Sequence, residues 1–211
     1  LAGFSIILTI VFGVGSGVLM AVKKDRLLDH VLGTFSTVAL SVPGFWIAIV
    51  LIFIFAEQWK ILPSSGISDG SGFILPAITL ALPSIGVCAR LTRSAILDEI
   101  GRQYMTVADA KGMSRRRAVI RHAFGNALIP IITYLGNHMA GIIGGASIVE
   151  TIFAIPGIGS YAIAGVQSKD YYVVQAYVLF SGCIYVLTNI LIDLIYIALD
   201  PKIRAGEAVE S

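Results

Sequence analysis

The sequence predicts an all-α, polytopic membrane protein, and three observations carry that reading. Its 211 residues are 56% hydrophobic and only 13% charged, with a mean hydropathy of +0.86. A soluble domain carries about 25% charged residues. Apolar runs near the ~20 residues needed to cross ~30 Å of hydrocarbon recur along the chain. The basic residues between those runs fall on alternate loops.

Five segments qualify as spans. The first, residues 1–22, is rich in glycine (Gly3, Gly13, Gly15, Gly17). Small residues let helices approach closely in lipid, where packing drives association. The second, residues 31–56, contains Pro43-Gly44, and the third, residues 73–97, contains Pro76 and Pro83. The fourth and fifth cover residues 127–149 and 173–199. Proline and glycine within these runs predict kinks, tolerated where neighbouring helices satisfy the freed backbone groups. The run begins at Leu1 without a charged region before it, so the expectation is a chain that starts inside a span, with no signal peptide.

Loop charge sets the expected orientation. Lys23, Lys24 and Arg26 lie between the first two runs, and Lys202 and Arg204 lie in the tail. Arg90, Arg93, Arg102, Lys111, Arg115, Arg116, Arg117 and Arg121 lie between or near the third and fourth. Only Lys60 and Lys169 fall on the other side. The positive-inside rule places the richer side, and the C-terminus, in the cytoplasm of a cell with an inner membrane. The outer loops are then residues 57–72, with Trp59 as an interfacial anchor, and residues 150–172. The latter contains IFAIPGIGSYAIAGV, apolar but broken by Pro156, Gly157 and Gly159. It reads as a re-entrant or interfacial segment.

No phosphate-binding GxxxxGK[ST] loop, HExxH or GxSxG occurs. Cys88 and Cys183 sit in apolar surroundings without CxxC spacing, as packing residues do. No catalytic residue and no metal ligand is expected, and any energy must come from a partner or an ion gradient. The one long polar interval is residues 98–126. It is helix-prone on both sides of Gly112, a residue able to take the left-handed turn that ends a helix. Tyr104, Val107, Ala108 and Lys111 share one helical face. A short helix with a mixed apolar and basic face suits a groove on a soluble protein.

This interval resembles the EAA loop of ABC-transporter permeases. Gly112 matches the loop glycine and Ala108 the second alanine; Thr106, Val107 and Gly125 stand in place of the Glu, the first Ala and the Pro. ADAKGMSRRRAVIRHAFGNALIP is similar to the form found in the B-type permeases of dipeptide, oligopeptide and nickel importers. GGASIVETIFAIPGIGSYAI, SKDYYVVQ and NILIDLIYIALDPKIR resemble further stretches of that branch, with Tyr172 in place of a proline. The similarity covers residues 23–205. It implies a type I ABC importer permease fold, with a transmembrane domain over residues 1–205, a cytoplasmic coupling helix and a cytoplasmic tail at 206–211. It also implies a further span preceding Leu1. The implied partners are a second permease subunit, two cytoplasmic ATPase subunits, an external substrate-binding protein and membrane lipid, with no nucleic acid. ATP and Mg would be used by the partners, and this chain would bind no cofactor. Tyr104, Thr106, Ala108, Asp109, Ala110, Lys111, Gly112 and Arg115 are the expected ATPase-coupling residues. Peptides or nickel chelates are the implied substrates.

Polar residues within the spans are costly and point to function by default. Asn137 and His138 lie in the fourth run, and Asn189 and Asp193 lie four apart in the fifth. Glu150 stands at the outer end of the fourth. All five are pathway or gating candidates, and the plainer reading of each is a hydrogen bond between helices or an interfacial charge. Two rival functions remain at this stage. A secondary transporter would carry paired intramembrane carboxylates and related halves, whereas only Asp193 lies well inside a span. A non-transporting assembly subunit would show no ATP-dependent flux.

Overall fold

The computed structural model describes residues 1–67, 70–102 and 123–199. All regular structure among them is helical. The first apolar run is one continuous helix, α1 (Ala2–Val22), with a wider π-helical stretch at Thr9–Val14. α2 (Leu27–Ser41) follows a four-residue turn in which Asp25 takes a left-handed conformation (φ +61°). α3 (Gly44–Gln58) is π-helical from Ile52. After a 3₁₀ turn at Ser71–Phe73 comes α4 (Ile74–Ile100). α5 (Phe124–Gly145), α6 (Ser147–Ile152), α7 (Ile158–Gln167) and α8 (Tyr171–Leu199) complete the order.

α4 is the central post. It packs against α1, α2, α3 and α5, and twelve of its residues are buried. Glycines set the closest approaches. A Cβ at Gly17 would lie 2.5 Å from Thr92 Cβ and 2.6 Å from the Ala89 carbonyl oxygen, and one at Gly13 would lie 2.8 Å from Cys88 Cβ. Gly3 and Gly15 face open space. Of the four glycines of the first run, the i, i+4 pair Gly13 and Gly17 does the work expected of small residues in lipid. α5 lies antiparallel along α4: Asn126 meets Glu99 at one end, and Tyr134 and His138 meet Ser84 midway. α8 packs on α5, where a Cβ at Gly136 would overlap Ile192. Two apolar clusters close the ends of the bundle. Ala21, Ile96, Ala123, Ala127 and Ile131 form one, and Ala48, Leu75, Val149, Phe153 and Ile155 form the other.

The spans depart from the hydropathy expectation in two places. The run at 31–56 is not one straight helix but a pair of helices bent by 102°. Val42 is extended (φ −91°, ψ 125°), as a residue before proline prefers, and Pro43 then starts α3. The run at 127–149 also breaks, because the helix ends at Gly145 and residues 147–149 belong to α6. By length and composition α1, α4 and α8 qualify as spans among the described residues, with a fourth if the bent pair is one span. α5 packs antiparallel along α4 from Glu99 to Ser84 and so traverses much of the same depth. At 1.5 Å per residue α4 is about 40 Å long, about 10 Å more than the hydrocarbon.

Candidate functional site

Three polar sites punctuate the bundle at different depths. The first stands where the described chain leaves α4 and re-enters α5, at the two ends of the polar interval. Glu99, in the last turn of α4, is buried. Its Oε2 accepts a hydrogen bond from Asn126 Nδ2 at 3.2 Å, and its Oε1 pairs with Arg102 Nε at 3.0 Å. Ala123 and Ala127 pack below on Ile96 and Ala21. A carboxylate held at a helix crossing by an amide and a guanidinium is a strong, directional tie, since hydrogen bonds to charged groups contribute about 1.5–3 kcal/mol. It fixes the stems that carry residues 103–122. The eight expected coupling residues, Tyr104, Thr106, Ala108, Asp109, Ala110, Lys111, Gly112 and Arg115, lie outside the described residues.

Two turns deeper on the same side, Arg93 of α4 grips Asp29 of α2. Nε donates to Oδ1 at 2.7 Å and a terminal nitrogen donates to Oδ2 at 2.8 Å. Asp29 also accepts the Asp25 backbone N–H at 2.9 Å, which fixes the left-handed turn before α2. The carboxylate is nearly buried and the arginine is about a third exposed. This bidentate pair therefore has the planar fork geometry that an arginine supplies and a lysine does not.

The second site is at mid-depth. The His138 ring stacks on Tyr134 with centroids 5.8 Å apart, and its Nδ1 lies 3.4 Å from Ser84 Oγ. Tyr134 donates its hydroxyl to the Ser84 carbonyl at 3.3 Å. These are bonds between helices, the plainer of the two readings given to His138. Its Nε2 is buried without a partner among the described residues. Asn137, the next residue, is exposed and makes no side-chain hydrogen bond there. On α8, Asn189 donates to the Tyr185 carbonyl of its own helix at 2.9 Å. Asp193, one turn on, is exposed and forms no ion pair among the described residues. It does not join His138.

The third site is at the opposite end from Glu99, in the broken apolar stretch. α6 and α7 are short helices joined by Phe153–Gly157, as a re-entrant or interfacial segment would be. Glu150 Oε2 accepts the Ser160 backbone N–H at 2.8 Å, so the carboxylate caps the N-terminus of α7. Negative charge there is favourable. Ser160 Oγ accepts from the Gly157 N–H at 3.0 Å. A Cβ at Gly157 would overlap the Glu150 carboxylate, so only glycine leaves room for this cap. Gly66 N–H donates to the Phe153 carbonyl at 2.9 Å and ties the two loops of this side together. Glu150 thus staples α6 to the start of α7.

Asp29, Arg93, Glu99, Asn126, Ser84 and Tyr134 escaped the sequence reading. Glu99 and Asn126 carried a faint signal, being polar residues flanking the long interval. Asp29 and Arg93 are 64 residues apart, and nothing local pairs them.

The described residues form a helical bundle around one long central helix, with the polar interval between α4 and α5, as a transmembrane component of a transport system would have. The chain belongs to the family described as binding-protein-dependent transport system inner membrane component, whose pattern matches residues 13–205. A probable peptide ABC transporter permease protein of Sinorhizobium fredii is 39% identical over 212 residues, covering 97% of this chain and 68% of that protein. A dipeptide transport system permease protein of Bacillus subtilis is 34% identical, covering 95% of this chain and 65% of its own length. The glutathione transport system permease protein of Escherichia coli K12 gives the same figures. The chain thus spans about two thirds of the length of these curated relatives. Among solved structures, an inward-facing form of the MetNI methionine ABC transporter superposes with a TM-score of 0.76 at 16% identity, over 94% of this chain and 91% of that one. That likeness establishes the fold, the importer-permease arrangement expected from the sequence. The family is a membrane component and not a catalytic one.

Proposed function

We propose that this chain is a permease subunit of an ATP-driven importer, worked from the cytoplasm through residues 103–122. The observation that carries the reading is the Glu99–Asn126 tie. It joins the two stems of a basic segment to the central helix, so a push on that segment moves α4 and α5 together. Basic residues gather on that side, which orients it, and the C-terminus, to the cytoplasm. Two cytoplasmic ATPase subunits, a second permease subunit and an external binding protein complete the assembly, and the ATPases hydrolyse the ATP. ATP binding shifts the pathway only through its different affinity for the two packings of the bundle.

Peptide is favoured over nickel as the substrate, because the relatives carry peptide, dipeptide and glutathione in their names, and glutathione is itself a tripeptide. Asn137 and Asp193 are the pathway residues, since both are exposed and unpartnered within the described chain, and a bare carboxylate facing lipid is costly. His138 and Glu150 hold helices in place, while Asn189 bonds within its own helix. Co-purification tests the assembly. An ATPase subunit should accompany the wild-type chain and be lost when residues 104–112 are altered; retention by those variants would overturn the docking assignment.

A further inference from the structure

We infer that the cleft between α2 and α4 beside the Asp29–Arg93 pair holds the headgroup of an anionic phospholipid. The cleft has a volume of about 500 Å³ and is lined by His30, Thr34, Thr37, Arg90 and Arg93 together with Asp29. Arg93 is already committed to Asp29. Arg90 is exposed and has no carboxylate partner among the described residues. Thr34, exposed on the facing wall, makes no side-chain hydrogen bond there. The cleft therefore holds one uncommitted guanidinium, an exposed imidazole and a free hydroxyl, and its single carboxylate is spoken for. That donor set recognises a phosphate monoanion.

Depth selects the source of the phosphate. α2 begins at Leu27, immediately after Lys23, Lys24 and Arg26, and its Asp29 is level with Arg93. Arg90 lies one turn, about 4.5 Å, farther into the membrane. A guanidinium at that depth in lipid is costly unless it meets a phosphate or water, and the headgroup layer is where long basic side chains seek both. The neighbouring face of α2 carries Leu27, Val31, Phe35 and Val38, all exposed. These fall along one stripe about 80° wide at 100° per residue, next to the stripe of His30, Thr34 and Thr37. An acyl chain on the first stripe leads its headgroup to the second.

The inference rests on the orientation proposed above only for the identity of the leaflet, the cytoplasmic one. Its test needs neither transport nor ATP, so it stands apart from the importer reading. The purified transporter, with whatever subunits accompany this chain, is delipidated in detergent and titrated with phosphatidylglycerol or phosphatidylcholine, and bound lipid is counted by native mass spectrometry. Phosphatidylglycerol should be retained over phosphatidylcholine. R90Q should weaken its binding about fivefold, as expected for one basic side chain near the headgroups; R90K should retain most of it, and K60Q, at the other end of the bundle, all of it. Equal retention of the two lipids, or R90Q binding phosphatidylglycerol like the wild type, overturns the site. Loss of a protein subunit from R90Q with phosphatidylglycerol still bound also overturns it, and would make Arg90 a subunit contact. R90K guards against misfolding: if it too fails to bind while eluting as a stable complex, a general charge site is wrong.

Discussion

The tie between Glu99 and Asn126 has a calculable worth. Glu99→Ala removes a hydrogen bond between a buried carboxylate and an amide at 3.2 Å, about 1.5–3 kcal/mol for a bond to a charged group. It also removes the pair with Arg102, whose side chain is 66% exposed, about 0–1 kcal/mol for a solvated pair. Together these losses come to about 1.5–4 kcal/mol. Asn126→Ala loses the shared bond, about 1.5–2 kcal/mol on the same scale. The double variant should then be less destabilised than the two singles added together, with a coupling energy of about 1–2 kcal/mol. Arg102→Ala should cost no more than about 1 kcal/mol. Thermal unfolding of the detergent-solubilised protein measures all four. Peptide uptake per ATP hydrolysed should fall in both single variants, because loosened stems transmit less motion. If the singles and the double add within about 0.5 kcal/mol, the two residues do not hold the stems and the transmission account fails.

Three other substitutions test the bundle and its orientation. Gly17→Val drives a side chain into Thr92 and the Ala89 carbonyl and should destabilise by at least about 1–3 kcal/mol, while Gly15→Val, facing open space, should stay within about 0.5 kcal/mol. Equal effects in a thermal melt would refute the helix contact. Gly157→Ala keeps an allowed backbone (φ −115°) but displaces the Glu150 carboxylate from the start of α7, costing about 1–2 kcal/mol. Adding Glu150→Ala should recover part of that loss, and no recovery would mean that the clash lies elsewhere. With Cys183→Ser as background, a cysteine replacing Arg115 should resist a membrane-impermeant thiol reagent in intact cells and react in inside-out vesicles. Labelling from the cell exterior would invert the topology.

Helix class and the reading of 150–172 as broken apolar chain were legible because each is a local property. Hydrophobic runs, proline and glycine act over one or two turns. The bend at Pro43-Gly44 was marked by its dipeptide, but its size, 102°, depends on where α3 packs against α4. The break at Gly145 left only small residues as a signal. Of the site candidates, Glu150 was found for its unusual place in an apolar stretch, yet its role as a cap depends on Ser160 ten residues on. The Asp29–Arg93 and Glu99–Asn126 pairs join residues 64 and 27 apart. Charge in a loop looks alike whether solvated or paired, and only the packing of α2 and α5 on α4 distinguishes the two.

The central claim is that ATP hydrolysis outside this chain drives its bundle through the segment around Gly112. Proteoliposomes containing the complete transporter and its binding protein allow peptide uptake and ATP hydrolysis to be measured together. Gly112→Asp should leave hydrolysis running or reduced while uptake is lost. Uptake by Gly112→Asp at the wild-type rate would contradict the account.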